Sequence, residues 1–218
     1  YSISGGSDDI TATLGGSSVT FDSSENYNGS TSFTVSVSDG EYTDSQSIIV
    51  TVNAVNDAPT ANAASGETNE DQSVVITLSG NDIDGDNLTF NLDNNAANGS
   101  VTLDGSLATY TPNENYFGDD SFIFSVSDGE FSASASVSVS VAAVNDAPVL
   151  ATVSDVSFDE DGSGSISLSG SDVDGDDLTY SISGGSDDIT ATLGGSSVTF
   201  DSSENYNGST SFTVSVSD

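Results

Sequence analysis

Residues 1–39, YSISGGSDDITATLGGSSVTFDSSENYNGSTSFTVSVSD, recur letter for letter as residues 180–218, a shift of 179 positions. Looser copies lie at half that distance. NDAP stands at Asn56–Pro59 and again at Asn145–Pro148, ENY at Glu25, Glu114 and Glu204, and DIDGD at Asp82 returns as DVDGD at Asp172. A period of about 90 residues specifies an array of like modules, each large enough to bury one sandwich core. The perfect long repeat is the pattern of a window from a longer chain of alternating two-module units, with both ends inside a module.

Within the period, apolar residues alternate with Ser and Thr. Phe33, Val35 and Val37 form one such line, matched by Phe122, Phe124 and Val126 and by Phe212, Val214 and Val216. Ile48, Val50 and Val52, with Val137, Val139 and Val141, form a second; Ile76 with Leu78 and Ile166 with Leu168 form a third. Period-two alternation of β-branched and aromatic residues marks half-buried strands, and the Gly, Asn, Asp and Ser clusters between them mark turns. No stretch has helical spacing. The expected fold class is all-β: tandem antiparallel β-sandwich modules, cadherin-like or immunoglobulin-like, arranged as a rod. The expected division is 1–55 as the later part of a module, 56–144 as a complete module and 145–218 as a module lacking its last strand. Strands of the complete copy are expected near 60–65, 73–79, 87–92, 100–104, 107–111, 120–127 and 132–142. The gap in the last copy is either an arbitrary end or a place for a strand from an adjacent identical repeat, in the same or a neighbouring chain.

The chain carries 35 Asp and Glu and no Lys, Arg or His. No internal pair between side chains can neutralise a carboxylate. Two carboxylates about 5 Å apart repel by roughly 0.8 kcal/mol in water, and by more when partly desolvated. External cations must supply the compensation. Nucleic acid and anionic membrane surfaces are excluded as partners, because no basic patch exists to meet phosphate. The apolar runs are too short for a membrane helix, so no direct membrane insertion is expected. Enzymatic chemistry is poorly served: without His, Cys or Lys there is no ordinary base, thiol nucleophile or Schiff-base amine.

The acidic turns invite a metal reading. Asp82, Asp84 and Asp86, and likewise Asp172, Asp174 and Asp176, place three carboxylates in five residues, with alternate positions facing one centre. Hard oxygen donors at that density suit Ca²⁺, which accepts six to eight in loose geometry. The competing reading is a plain Asp/Gly-rich turn, and Asp86 and Asp176 either serve an ion or solvate the turn. Further acids recur with the period: Glu70 and Glu160, each followed by Asp; Glu25, Glu114 and Glu204; and Asp39, Asp128 and Asp218 in VSD.

The order of glutamate, D-x-D turn, late S-D-G and V-N-D-A-P resembles the cadherin repeat, and more closely the cadherin-like tandem repeats of large bacterial surface and secreted adhesins. The resemblance implies Ca²⁺ at the junction between successive sandwiches. It assigns Glu70, Glu114, Asn145, Asp146, Asp172, Asp174 and Asp218 to the second junction. At the first it assigns Glu25, Asn56, Asp57, Asp82, Asp84 and Asp128. Ala54 and Ala143 stand where the family's linker has its first acid, which implies one or two ions per junction rather than three. The function so implied is a Ca²⁺-stiffened extender at a bacterial cell surface or in an extracellular fibre. The alternatives are modules that themselves bind identical copies or glycans, with Tyr27, Tyr206 and Tyr42 as candidate contacts, or a salt-adapted acidic protein without specific sites.

Overall fold

The computed structural model describes all of residues 1–218. It contains strands and turns and no helix, so no helix is long and apolar enough to cross a membrane. Five strands precede the first NDAP: β1 (Ser2–Gly5), β2 (Ile10–Gly15), β3 (Ser18–Ser23), β4 (Gly29–Ser38) and β5 (Thr43–Val52). Nine follow up to the second NDAP: β6 (Thr60–Asn62), β7 (Ala64–Asn69), β8 (Val74–Thr77), β9 (Ser79–Asn81), β10 (Thr89–Asn94), β11 (Gly99–Asp104), β12 (Leu107–Pro112), β13 (Gly118–Ser127) and β14 (Ser132–Ala142). Seven more complete the chain: β15 (Val149–Leu150), β16 (Ser163–Ser167), β17 (Gly170–Ser171), β18 (Thr179–Gly184), β19 (Ile189–Gly194), β20 (Ser197–Ser202) and β21 (Phe212–Ser217).

The middle stretch shows the module in full. One sheet runs β10-β13-β14-β7, the other β11-β12-β8, and β6 pairs with β9 in a short ribbon. Alternation carries the packing: Phe122, Phe124, Val126, Val137, Val139 and Val141 are buried from one sheet, and Ile76, Ala108 and Tyr110 from the other. All seven expected strands are present. The first two expected strands are each broken in two: the opening one with β6 on β9 and β7 on β14, and the second with β8 on β12 and β9 on β6. The polar run Ala64–Asn69 has little apolar content of its own, because β14 supplies its pairing.

Residues cluster into two compact units. One comprises 1–67, 73–111 and 119–140; the other comprises 68–72, 112–118 and 141–218. The loops bearing Glu70 and Glu114 therefore fall in the same unit as the second NDAP and the second DxDGD turn.

One buried polar group is particular to the middle copy. Asp120, 8% exposed, accepts hydrogen bonds from the Tyr110 hydroxyl at 3.0 Å and from the N–H groups of Ala97 at 3.1 Å and Asn98 at 2.9 Å. In the other copies the equivalent residues are Phe21 with Thr31 and Phe200 with Thr210, so the pair changes together. Tyr110 lies so close over Gly99 that a Cβ there would meet its ring at 2.6 Å. Burial raises the Asp120 carboxyl, but the N–H of Ser121 and Asn98, the Tyr110 hydroxyl and the N–H of Ala97 outweigh it and hold the group below its ordinary value.

Replacing Asp120 by Asn turns a donor toward these donors and is expected to cost about 2 kcal/mol at pH 7, while Tyr110→Phe costs about 1 kcal/mol. Because the folded pKa is depressed, this stability is complete above the ordinary carboxylate value of 3.8 and is lost as pH falls through the folded value. The melting-temperature gap between wild type and Asp120→Asn should accordingly narrow below about pH 4 in thermal unfolding followed by circular dichroism.

Candidate metal centres

Each DxDGD turn folds around one of its own carboxylates. Oδ1 of Asp172 accepts from the N–H of Asp174 at 2.9 Å, Gly175 at 3.1 Å and Asp176 at 3.3 Å. Oδ1 of Asp82 accepts from Asp84 at 2.9 Å and Asp86 at 3.2 Å. Gly85 and Gly175 both have φ of 82°, and a Cβ at either would meet nothing, so backbone conformation rather than space requires glycine. The turn satisfies one oxygen and leaves its twin. Oδ2 of Asp82 and Oδ2 of Asp172 are buried and receive no hydrogen bond.

The NDAP linkers dock on these turns in the same way twice. The N–H of Asp57 donates to Oδ2 of Asp84, and that of Asp146 to Oδ2 of Asp174, both at 2.7 Å. The Asn56 amide donates to Oδ2 of Asp128 at 2.9 Å, and the Asn145 amide donates to Oδ2 of Asp218. Asp128 is held in turn by the N–H groups of Glu130 and Phe131, each at 2.7 Å. Burial raises the Asp128 carboxyl, and these donors with Asn56 overcome it, so the group lies below its ordinary value.

Around the second linker the carboxylates converge. One ligand atom each from Asp172, Asp174 and Asp176 lie within 4.8 Å of one another. Oδ2 of Asp146 is buried without a partner. Burial first, and then the charges of Asp174, Glu70, Asp71 and Asp172, push the Asp146 carboxyl above its ordinary value. Glu70, 4% exposed, is fixed at both ends: its N–H donates to the Ala142 carbonyl at 2.9 Å, and Oε1 accepts from the Val144 N–H. Glu114 is exposed, and its neighbour Asn115 donates its N–H to Asp71 at 3.0 Å. Around the first linker, Glu25, Asp57 and Asp84 line one cleft of about 330 Å³ together with residues 52–55. Residues 53 and 55 correspond to the positions that anchor Glu70 around the second linker, Ala142 and Val144.

A cation fits these sites on the structure's own terms. Three buried carboxylate oxygens lack any partner, in a chain with no Lys, Arg or His to supply one. The donors are carboxylate and amide oxygens without nitrogen or sulfur ligands, the set preferred by Ca²⁺. Sequence reasoning passed over the second acid of each E-D doublet. Asp71 acts on Asp146, and both Asp71 and Asp161 lock the E-N-Y loop, the latter by accepting from Asn205 at 2.7 Å. The tyrosines of that loop are half-buried, with the hydroxyl ends of Tyr27 and Tyr206 lying over Gly29 and Gly208, whereas Tyr42 is 73% exposed.

Among solved structures, protocadherin gamma B7 cadherin domains 1–4 match over 100% of this chain and 66% of that one, at 12% identity and a TM-score of 0.50. Human protocadherin-24 EC1-2 matches over 75% of this chain and 94% of that one, at 18% identity and a TM-score of 0.45. An endo-fucoidan hydrolase of glycoside hydrolase family 107 matches at 18% identity and a TM-score of 0.35, and this chain, covered in full, spans 37% of its length. At these identities likeness speaks to fold alone. No curated protein matches the sequence. The bacterial Ig domain model matches residues 56–140 and again residues 145–218. With two sandwich modules matched in tandem over most of its length, the chain belongs to the bacterial Ig domain family.

Proposed function

We propose that this chain is a Ca²⁺-stiffened extender segment of a large extracellular bacterial adhesin or surface fibre. Tandem bacterial Ig-type modules with a cadherin-like fold suit a structural or adhesive role outside the cell. The observation that carries the finer reading is the set of partnerless buried oxygens on Asp82, Asp146 and Asp172. Asp82 and Asp172 belong to turns, Asp146 to a linker, and each turn takes a hydrogen bond from its linker. A divalent cation supplies the positive charge that the polypeptide lacks. Asp172, Asp174, Asp146, Glu70 and Asn145 would hold it at the second linker, and Asp82, Asp84, Asp57, Glu25 and Asn56 at the first. Asp128 and Asp218 steady the Asn side chains. With the cation bound, a linker cannot swing away from its turn without exposing a charged cluster. Without it, repulsion among Asp146, Asp174, Glu70 and Asp71 favours opening. Weak sites of the extracellular grade fill at millimolar Ca²⁺ and stay empty at the far lower levels inside a cell.

Two outcomes are expected. Millimolar Ca²⁺ should raise the melting temperature by roughly 5 °C, since about a tenfold excess over an extracellular-grade Kd contributes about 1.4 kcal/mol. A chelator should reverse this and shorten the maximum dimension in small-angle scattering. Equal stabilisation by NaCl would instead indicate an acidic protein that only gathers bulk cations. Separately, Asp172→Asn and Asp82→Asn keep the acceptor that closes each turn but remove a ligand charge. Each should delete one class of sites in calorimetric Ca²⁺ titration while leaving the other, with the far-UV spectrum unchanged.

A further inference from the structure

Two turns of the middle module are built alike and tied to each other. In residues 69–72 the Gln72 N–H returns to the Asn69 carbonyl at 3.3 Å, and in residues 113–116 the Tyr116 N–H returns to the Asn113 carbonyl at 3.1 Å. The second residue of each turn is a glutamate, Glu70 or Glu114. The third has a left-handed backbone, Asp71 at φ 58° and Asn115 at φ 56°. Among residues that carry a side chain, Asp and Asn accept this conformation most readily. Oδ1 of Asp71 accepts the Asn115 N–H at 3.0 Å, across 44 positions of sequence. One exposed carboxylate therefore ties the two glutamate turns, third residue to third residue.

The arrangement recurs in the next module. The N–H groups of Gly162 and Tyr206 close the turns 159–162 and 203–206 onto the Asp159 and Ser203 carbonyls, at 3.1 and 3.2 Å. Glu160 and Glu204 stand second, and Asp161 and Asn205 stand third at φ 61° and 56°. Oδ1 of Asp161 accepts the Asn205 N–H at 2.7 Å. In the middle module the tied turns meet the second linker, since residues 68–72 and 112–118 cluster with 141–218. After burial, Asp174 and Glu70, the charge of Asp71 is the next cause that raises the Asp146 carboxyl. At the first linker Glu25, the counterpart of Glu114, lines one cleft with Asp57 and Asp84. The two glutamates of a tied pair carry like charge, and no Lys, Arg or His exists to neutralise them.

We propose that Asp71 is a positioning residue for the cation at the second linker: by tying the turn of Glu114 to the turn of Glu70, it presents both glutamates to one divalent ion. The inference rests on the Ca²⁺ reading above and adds to it the residue that sets the ligand spacing. Glu70 is already fixed by the Ala142 carbonyl and the Val144 N–H. Glu114 is exposed, and the bond from the next residue to Asp71 is what joins its turn to that of Glu70. Asp71 thus acts through its acceptor oxygen rather than through its charge. A group that orients metal ligands without touching the metal sets affinity through geometry. Without the tie, the ion itself has to order the Glu114 turn, and that ordering is subtracted from the binding free energy.

The test titrates the full chain with Ca²⁺ in a calorimeter and follows its hydrogen exchange in chelator. Asp71→Gly removes the acceptor and suits the left-handed backbone, whereas Asp71→Asn keeps an acceptor oxygen and loses the charge. In chelator the Asn115 amide should exchange faster in Asp71→Gly than in the wild type, and at the wild-type rate in Asp71→Asn. With Ca²⁺, Asp71→Gly should weaken one class of sites by at least about tenfold, as loss of a group that orients metal ligands does. Asp71→Asn should stay within about threefold of the wild type, since a charge that does not touch the ion is largely screened. Asp161→Gly makes the same loss in the next module, and Asp161 is not among the acids that bear on Asp146, so that class of sites should keep its affinity. Wild-type affinity or an unchanged Asn115 exchange rate in Asp71→Gly overturns the proposal. So does equal weakening in Asp71→Asn, which would make Asp71 a ligand, or in Asp161→Gly, which would make the effect general. Absence of any Ca²⁺ binding by the wild type sinks the metal reading itself, and the proposal with it.

Discussion

Carboxylates that no side chain of the protein can neutralise govern this structure. In most sandwiches a buried Asp meets an Arg, a Lys or several N–H donors. Here only N–H and hydroxyl donors exist, and the chain spends them consistently. Asp120 takes hydrogen bonds from the N–H groups of Ala97, Asn98 and Ser121 and from the Tyr110 hydroxyl, and sits below its ordinary pKa. Asp146 has no such cage and is pushed up by burial and by four neighbouring acids. The contrast separates two kinds of buried acid. One is satisfied within the fold and adds to its stability. The other is left with an oxygen that the fold does not serve, and it lies beside the linker.

Much of this could be read from sequence, for physical reasons that differ by level. Period-two alternation exposed the strands because each sheet has one wet face and one dry face, as β14 shows with Val137, Val139 and Val141 inward. The acidic turns were visible because an Asx turn needs Asp first and glycine at the left-handed fourth place. What escaped is tertiary. Strand β7 has no apolar run to announce it and exists because β14 offers an edge. The Tyr110–Asp120 pair looks like two unrelated polar residues ten positions apart until the sandwich closes them to 3.0 Å. The second acid of the E-D doublet appears redundant in sequence, yet Asp71 and Asp161 hold loops 44 residues away.

The exact repeat shows how far burial departs from local sequence. Ile10 and Ile189 have identical neighbours for many residues on either side, and only one is sealed. Hydrophobic stabilisation of about 1.5–3 kcal/mol per large side chain is therefore a property of the strand alongside, not of the residue alone. The same dependence decides secondary structure, since Gly208–Ser211 has the sequence of a strand and lacks the partner that makes it one.

Strand closure and the acidic linker are mechanically one feature. In the middle module β14 ends at Ala142, whose carbonyl takes the Glu70 N–H, and two residues later the Val144 N–H takes the Glu70 carboxylate. The final strand of a module thus sets the glutamate that bears on Asp146 and, through Asp71, the loop that carries Glu114. Glu160 and Asp161 occupy the corresponding place beyond β21, and Asp161 already holds Asn205.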